Sequence, residues 1–260
     1  MSNEHKEYLK KIKRKNIIIK SFQILIIIFI ITIWQLAANK GLINTFISSS
    51  PKNIINTILK LYKDKLLFHH IGITFYEVLI SFSLGTIFGI TIASILWRYQ
   101  LLYKIIDPYL TILNSMPKVS LGPIIIIIAG AGIKSIIIMA LLISFIITII
   151  DVHHYFKETE KNKIKLMKSF KATKRQIFIK LILPSNIKNL INVCKVNIGL
   201  TFIGVIMGEF LVSKSGIGYL IMYGSQIFNL NLVMTGIIIL CIMASLMYYI
   251  IVILEKRINH

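Results

Sequence analysis

The chain has 260 residues, of which 56% are hydrophobic and only 15% are charged. A soluble domain is typically about 45–50% apolar and about 25% charged, so the composition argues against a soluble enzyme, a disordered protein and a disulfide-stabilised scaffold. Lys and Arg number 30 against 10 Asp and Glu, which gives a net charge of +20. The basic residues lie between long apolar runs, a pattern typical of membrane proteins.

The first elements are a basic tail and an apolar run. We predict a basic cytoplasmic tail over residues 1–16 and a first transmembrane helix over 17–38, because a spanning helix needs about 20 apolar residues. Residues 39–69 are predicted to form an outer loop with an amphipathic helix. Ser50 and Pro51 give that helix an N-cap and a first-turn proline.

Residues 70–254 are predicted to form the transmembrane core. Gly85 and Gly89 are four residues apart and therefore predict a close approach of another helix. The apolar stretch 119–150 fits one long helix or two, and the turn signal at 130–132 favours two. The third span then contains three prolines and is predicted to be kinked or broken. The predicted core spans are about 71–97, 108–129, 135–151, 189–211 and 232–254.

The distribution of basic residues favours six spans over five. With six, the inner segments hold 21 Lys and Arg and the outer segments hold 7. With five, the segment 151–188 and its ten basic residues would lie outside, against the positive-inside rule. The sequence therefore predicts an all-α membrane protein in the plasma (inner) membrane. It predicts a polytopic bundle of six transmembrane helices with both termini, including the tail 255–260, in the cytoplasm.

The largest cytoplasmic loop, residues 152–188, carries helical signals. Ile164, Met167 and Phe170 repeat every three residues and predict one short helix. Thr173, followed three residues later by Gln, fits a capping box that starts a second helix, which Pro184 is expected to end. Two such helices could dock into a groove on a soluble partner. A solvated loop that only sets topology is the alternative.

This loop resembles the coupling loop of ABC importer permeases. The family pattern is Glu-Ala-Ala, three residues, Gly, nine residues, then Ile-x-Leu-Pro. Its Leu-Pro end is matched at 183–184, with a leucine in place of Ile at 181. Residues 165–167 differ from Glu-Ala-Ala, and a lysine at 171 replaces the glycine. The resemblance implies contacts to an ATPase from Lys165, Leu166, Met167, Lys171, Ala172, Thr173, Leu181, Leu183 and Pro184.

Two further stretches resemble the nitrate/sulfonate/taurine-type permeases. Residues 107–123 are similar to the proline-rich third span of this subgroup, and 208–221 to its acidic residue and Gly-x-Gly-Tyr-Leu-Ile segment. Glu77 stands where an arginine is common in relatives. The resemblance implies a homodimeric permease that works with cytoplasmic ATP-binding-cassette subunits and an extracytoplasmic solute-binding protein. ATP and Mg would bind the partner subunit, with no cofactor on this chain and no enzymatic role for it.

Ionisable residues within membrane spans are candidates for function. They could line a translocation path. Alternatively, they could pair with residues of neighbouring helices, or their side chains could extend to the membrane–water interface. An anionic substrate would favour the lysines over the glutamates. No catalytic or metal-binding residue is predicted. The path candidates, with the adjacent proline, are Glu77, Pro117, Lys118, Lys195 and Glu209.

Two rival interpretations are open at this point. An ion-driven secondary transporter often has broken helices near the midplane, which the prolines of the third span would fit. A membrane protein without a transport role, such as an assembly factor, would need no ATPase partner. The transported substrate is not predicted beyond a small solute: a nitrate-, sulfonate- or taurine-like anion or a related nutrient.

Overall fold

The computed structural model describes residues 3–258, and every regular element in that range is helical, which confirms the all-α prediction. The ends of the two predicted tails, residues 1–2 and 259–260, lie outside this range. The helices are α1 (Asn3–Asn39), α2 (Thr45–Ser48), α3 (Pro51–Lys63), α4 (Leu66–Arg98), α5 (Gln100–Ser115), a 3₁₀ turn (Lys118–Leu121), α6 (Gly122–Ala129), α7 (Ile133–Glu158), α8 (Lys161–Ser169), α9 (Lys174–Ile177), a π-helical turn (Phe178–Ile182), α10 (Leu183–Ser185), α11 (Ile187–Val212), α12 (Ile217–Gln226) and α13 (Leu230–Ile258).

Five of these helices are long and apolar enough to cross a membrane: α1, α4, α7, α11 and α13. The third predicted span is instead a bent pair, in which α5 and the segment Lys118–Ala129 meet at 89°. Counting that pair as one span gives six. The break falls at Pro117 because proline lacks an N–H and drives Met116 into an extended conformation. Pro108, where the span was expected to start, lies inside α5.

The centre of the bundle is a tight packing of α4, α7 and α11. A Cβ at Gly85 would lie 2.7 Å from the Ser144 hydroxyl, and one at Gly89 would lie 2.6 Å from the Thr148 methyl group. The predicted close approach at these two glycines is therefore confirmed. Gly204 of α11 lies equally close to the backbone of Ala140 in α7. Small residues let the three backbones approach where lipid offers no hydrophobic driving force.

A polar contact joins the same three helices. The side-chain amide of Asn197 in α11 donates to the hydroxyls of Thr86 in α4 (3.0 Å) and Thr148 in α7 (2.6 Å). All three side chains are buried. A hydrogen bond inside a bundle satisfies groups that the bilayer could not satisfy, so this contact fixes the register of α4, α7 and α11.

Two predicted boundaries differ from the structure. Residues 152–158, expected in the cytoplasmic loop, continue α7 because Val152 and Phe156 are fully buried and give its end a packed face. Pro184 does not end a helix: it occupies the first turn of α10, where its missing N–H is tolerated. The break falls at Asn186, whose side chain donates to the Ile182 carbonyl (2.9 Å).

The first span packs against the bundle mainly through α3. Side chains along α1 from residue 17 to 36 are mostly exposed, as expected for a helix surrounded by lipid. Its polar contact is Gln35, whose side-chain oxygen accepts from the backbone N–H of Lys52 at the start of α3 (3.0 Å). The predicted N-cap of α3 is confirmed, since the Ser50 hydroxyl accepts from the Asn53 N–H (3.2 Å).

Candidate functional site

The segment Lys161–Ile182, here called the coupling segment, contains two short helices, as predicted. The Thr173 hydroxyl accepts from the Gln176 N–H (3.3 Å), and the Gln176 side chain accepts from the Thr173 N–H (2.8 Å). This is the reciprocal capping box that the sequence indicated. It starts α9 in a new direction after α8, so the segment forms a bent, capped unit.

Lys171 forms the bend between the two helices. Its φ of 56° lies in the left-handed region, which residues with a Cβ adopt at a cost. Directly after it, the Ala172 N–H donates to the Met167 carbonyl (3.1 Å), the hydrogen bond that closes a Schellman turn at the end of α8. The resemblance placed a glycine of the family pattern at this position, and the backbone geometry explains why a glycine suits it.

The inner face of the coupling segment is anchored on the helical bundle. Ile177 and Ile182 are buried in one cluster with Ala93, Val152 and Val193, which belong to α4, α7 and α11. Aromatic contacts extend this cluster, with the ring centroid of Phe178 at 5.2 Å from that of Trp97 and at 5.4 Å from that of Phe156. A movement of the segment would therefore be transmitted directly to the ends of three spans.

The outer face of the coupling segment is apolar and uncovered. Leu166 is 58% exposed and Phe170 is 75% exposed, beside exposed lysines. Among the other residues that the resemblance singled out, Lys165, Lys171, Thr173 and Pro184 are exposed, and Met167, Ala172, Leu181 and Leu183 are half-buried. Lys165 and Lys171 are the chain neighbours of Leu166 and Phe170, so this face presents two exposed apolar side chains beside lysines to a partner.

The candidate path residues lie in three separate places. Pro117 and Lys118 are at the break between α5 and α6, where the Lys118 ammonium donates to the Asn114 carbonyl (2.9 Å). Lys195 of α11 forms an ion pair with Glu255 of α13 (2.7 Å) and is largely buried. The structure therefore gives Lys195 a partner and leaves Lys118 near a surface.

Glu209 lies at the opposite end of the bundle from the coupling segment, in a group of contacts here called the Glu209 junction: His70, Thr74, Glu209, Gly216 and Gly218. The Glu209 carboxylate accepts from the Thr74 hydroxyl (2.6 Å) and from the backbone N–H groups of Gly218 and Tyr219, at the start of α12. A helix N-terminus favours a negative charge at this position.

The junction also holds the loop before α12 against α4. The Thr74 hydroxyl accepts from the Ile217 N–H (2.8 Å), and the His70 Nδ1 atom accepts from the Gly216 N–H (3.0 Å). The glycines at 216 and 218 make room for the carboxylate, because a Cβ on either one would collide with the Glu209 side chain. Sequence reasoning missed Thr74 and His70. Their spacing of four, on the helix that also carries Glu77, was the available signal.

Glu77 lies beside this junction and is fully buried. It lies one turn after Thr74 on α4, and since Thr74 hydrogen-bonds to Glu209, the carboxyl groups of Glu77 and Glu209 are neighbours. Neither carboxyl oxygen of Glu77 has a donor, and the hydroxyl of Ser81, one turn further along α4, is also buried without a partner. The structure thus brings together two of the ionisable candidates, Glu77 and Glu209, and keeps them apart from both lysines.

Comparison with known proteins gives consistent matches. Residues 85–260 match the family of the binding-protein-dependent transport system inner membrane component. The Bacillus subtilis protein SsuC, named as an aliphatic sulfonates transport permease, is 26% identical over 88% of this chain and 83% of its own. The formylaminopyrimidine transport permease protein ThiX of Halalkalibacterium halodurans is 25% identical over 75% of this chain and 77% of its own.

A third relative and a solved structure extend these matches. The taurine transport system permease protein TauC of Escherichia coli is 19% identical over 84% of this chain and 81% of its own. A chain of the MetNI methionine ABC transporter, solved in an inward-facing conformation, superimposes with a TM-score of 0.68 at 18% identity. That superposition covers 76% of this chain and 98% of the other, which establishes a common fold.

Proposed function

We propose that this chain carries a small sulfonate- or taurine-like anion, or a related nutrient, and that it works as a pair of identical subunits. The premise is its family: the matched region covers more than half of the chain, which therefore belongs to the binding-protein-dependent transport system inner membrane components. The chain is a multi-pass permease subunit of an ABC importer in the inner membrane. ATP is hydrolysed by a separate subunit of such systems, so this chain is not the enzyme. The family assignment also argues against the ion-driven carrier and the assembly factor.

The coupling segment is proposed to contact the ATPase subunit. The observation that carries this proposal is the exposed pair Leu166 and Phe170, set among lysines on a base that is packed against α4, α7 and α11. An apolar knob of this kind fits a groove in a partner. ATP-driven closure of two ATPase subunits would move the coupling segments of the two permease chains as rigid bodies. The spans attached to each segment would then change their tilt.

Co-purification tests this contact. The tagged chain, expressed with the ATPase subunit in mild detergent, should retain that subunit, and replacement of residues 161–175 by a Gly/Ser sequence should release it. A finer test is Lys165→Glu, which reverses a charge on the exposed face and should lower permease-stimulated ATPase activity. Lys188→Glu is the matched control, because Lys188 is an exposed lysine outside the coupling segment.

Two results would contradict the proposed contact. One is full recovery of the ATPase subunit with the Gly/Ser variant. The other is an equal loss of ATPase stimulation in Lys165→Glu and Lys188→Glu, which would indicate a general effect of charge and not a contact at Lys165.

The orientation of the chain is proposed from its charges. Because inner segments would hold 21 Lys and Arg and outer segments 7, both termini and the coupling segment are assigned to the cytoplasm. Single cysteines at Ser169 and Lys214, in a chain with Cys194 and Cys241 replaced by alanine, test the assignment. A membrane-impermeant maleimide applied to intact cells should label position 214 and not position 169. The reverse pattern would invert the topology.

The substrate class is proposed from the relatives named for aliphatic sulfonates and taurine. Lys118 is the proposed contact for the anion, because Lys195 is already neutralised by Glu255. Cells that lack this chain should fail to grow with taurine or an alkanesulfonate as sole sulfur source. Normal growth on both would exclude this class and favour a neutral or cationic substrate, such as that named for ThiX.

The homodimer is proposed because one permease chain commonly supplies both halves of such importers. Co-expression of the chain with two different tags tests it directly. Capture through one tag should recover the other tag, and recovery of a single tag at every detergent concentration would argue for a different second permease subunit.

A further inference from the structure

We propose that Glu77 and Glu209 form a proton-binding site, in which Glu77 is a neutral carboxylic acid that donates a hydrogen bond to the Glu209 carboxylate. The two residues are 0% and 1% exposed, and they lie on different helices, α4 and α11. Glu77 lies one turn after Thr74 on α4, and the Thr74 hydroxyl donates to Glu209 (2.6 Å), so the two buried carboxyl groups are neighbours.

The donors around the pair indicate which partner keeps the negative charge. Glu209 receives hydrogen bonds from the Thr74 hydroxyl and from two backbone N–H groups at the start of α12, a helix of ten residues. Hydrogen bonds of this kind stabilise a carboxylate. Glu209 is therefore provided with the donors of an ionised acid, and the glycines at 216 and 218 enclose it.

Glu77 has the opposite environment. Neither of its oxygens receives a hydrogen bond, and the nearby Ser81 hydroxyl is also buried and unpartnered. Two ionised carboxylates side by side would be two acceptors without a donor between them. A proton on Glu77 converts one acceptor into a donor and satisfies both groups at once.

In the part of the chain whose side chains are described, no ion pair reaches Glu77 or Glu209. Among the side chains that the structure describes, the ion pairs are His154 with Glu158, Lys163 with Glu160, and Lys195 with Glu255, all away from the junction. The titratable groups that face the pair are His70 of α4, whose Nδ1 atom is an acceptor for Gly216, and Tyr219 of α12, which stacks on His70. The hydrogen-bond donors around Glu209 stabilise one negative charge, but a second buried charge on Glu77 would have no donor and no cation, so the pair retains a proton.

The consequence is a connection between helices. The proton links Glu77 of α4 to Glu209 of α11, and Glu209 in turn holds the start of α12. Glu77 thus acts as a positioning residue for the loop 213–216 and for α12.

Infrared spectroscopy of the purified full-length chain tests the site. At neutral pH the wild-type chain should show the C=O stretch of a protonated carboxylic acid, and the band should shift in D₂O. In Glu77→Gln, the absorbance from protonated Glu77 should disappear from the band. The unfolding temperature should stay the same, because the glutamine amide can still donate to Glu209. Glu255→Gln is the matched control: Glu255 is ion-paired with Lys195, so its replacement should leave the band unchanged.

Further variants keep the proposal testable if Glu77→Gln does not fold. Glu77→Lys should fold and lack the band, because the ammonium group supplies the positive charge directly. Glu77→Leu should lower the unfolding temperature, since it removes the donor.

The proposal is overturned if the wild-type chain has no acid band, or if the band is unchanged in both Glu77→Gln and Glu77→Lys. If the band is absent, a rise in the unfolding temperature with sodium or potassium, but not with choline, in the wild-type chain and not in Glu77→Gln would show what replaces the proton. That last result would identify a metal cation, in place of a proton, between the two carboxylates.

Discussion

The two ends of the bundle differ in whether their functional side chains find partners within the chain. At one end, the Glu209 junction buries its polar groups and satisfies most of them within the chain. At the other, the coupling segment leaves Leu166 and Phe170 uncovered among lysines. α4 connects the two: Thr74 lies near its start and Trp97 near its end, roughly 35 Å apart at 1.5 Å per residue.

This difference indicates what each end requires. The junction needs no second protein to satisfy its hydrogen bonds, so its residues should matter for the stability of the isolated chain. The outer face of the coupling segment is largely exposed and has little buried surface to lose, so its residues should matter for assembly and much less for stability. Substitutions at matched positions separate these two expectations.

The largest expected effect is that of Gly216→Ala at the junction. Gly216 has φ 112° and ψ 168°, a region open essentially to glycine alone, and an added Cβ would collide with the Glu209 carboxyl group. We expect the free energy of unfolding to fall by about 4 kcal/mol, the upper range for a single substitution. Unfolding by SDS in mixed micelles is the measurement.

Gly130→Ala is the control for that substitution. Gly130 has φ 82° and ψ 160°, a similar backbone conformation, but nothing lies within 4 Å of an added Cβ. Gly130→Ala should lower the free energy of unfolding only by the cost of placing alanine in this backbone conformation, about 2 kcal/mol. Equal losses in the two variants would mean that the Glu209 side chain moves away freely and that the junction is not tightly packed.

Thr74→Val is expected to have the next largest effect. The two side chains have nearly the same shape, but valine cannot donate to Glu209 or accept from the Ile217 N–H, so two buried groups lose a partner. A loss of about 2 kcal/mol is expected in the same unfolding assay. Thr91→Val on the same helix is the control, because the Thr91 hydroxyl is exposed and only donates to the carbonyl of Ile87 (2.7 Å). It should change stability by less than about 0.5 kcal/mol.

The sequence predicted the features that are written in short stretches of the chain. Long apolar runs located the spans, Ser50 and Thr173 marked the starts of their helices, and paired glycines marked the face of α4 on which another helix packs. Each of these features depends on residues a few positions apart on one element. They were therefore visible without knowledge of the tertiary structure.

The features that escaped prediction depend on distant residues. Glu77 and Glu209 were each suspected, but they lie 132 positions apart in the sequence, and no local pattern indicates that they meet. The extension of α7 to Glu158 follows from burial of Val152 and Phe156 against the coupling segment. A kinked or broken third span was expected near Pro117, but its angle of 89° was not, because α6 packs on α7 and α11, which are distant in the sequence.

A smaller effect of opposite sign is expected for Lys171→Gly in the coupling segment. Glycine adopts the left-handed conformation without the steric penalty of a Cβ, so the end of α8 should become more stable by about 1 kcal/mol. Hydrogen exchange of the α8 amides reports this local opening. Lys165→Gly, inside α8, should lower the free energy of local opening at the same amides by about 1 kcal/mol, because glycine is a poor helix former. Faster exchange in Lys171→Gly would show that the lysine side chain stabilises the bend by a contact of its own.

The smallest effect on stability, and a large one on assembly, is expected for Phe170→Ala. Phe170 is 75% exposed, so its replacement removes little buried surface and should change the free energy of unfolding by less than about 0.5 kcal/mol. If its ring fills a groove in the ATPase subunit, the variant should retain much less of that subunit in co-purification.

Phe228→Ala is the matched control: Phe228 is 74% exposed but precedes α13, away from the coupling segment. It should retain the ATPase subunit fully. A marked loss of stability in Phe170→Ala, or an equal loss of the ATPase subunit in both variants, would remove the distinction between an end completed by its own chain and an end completed by a partner.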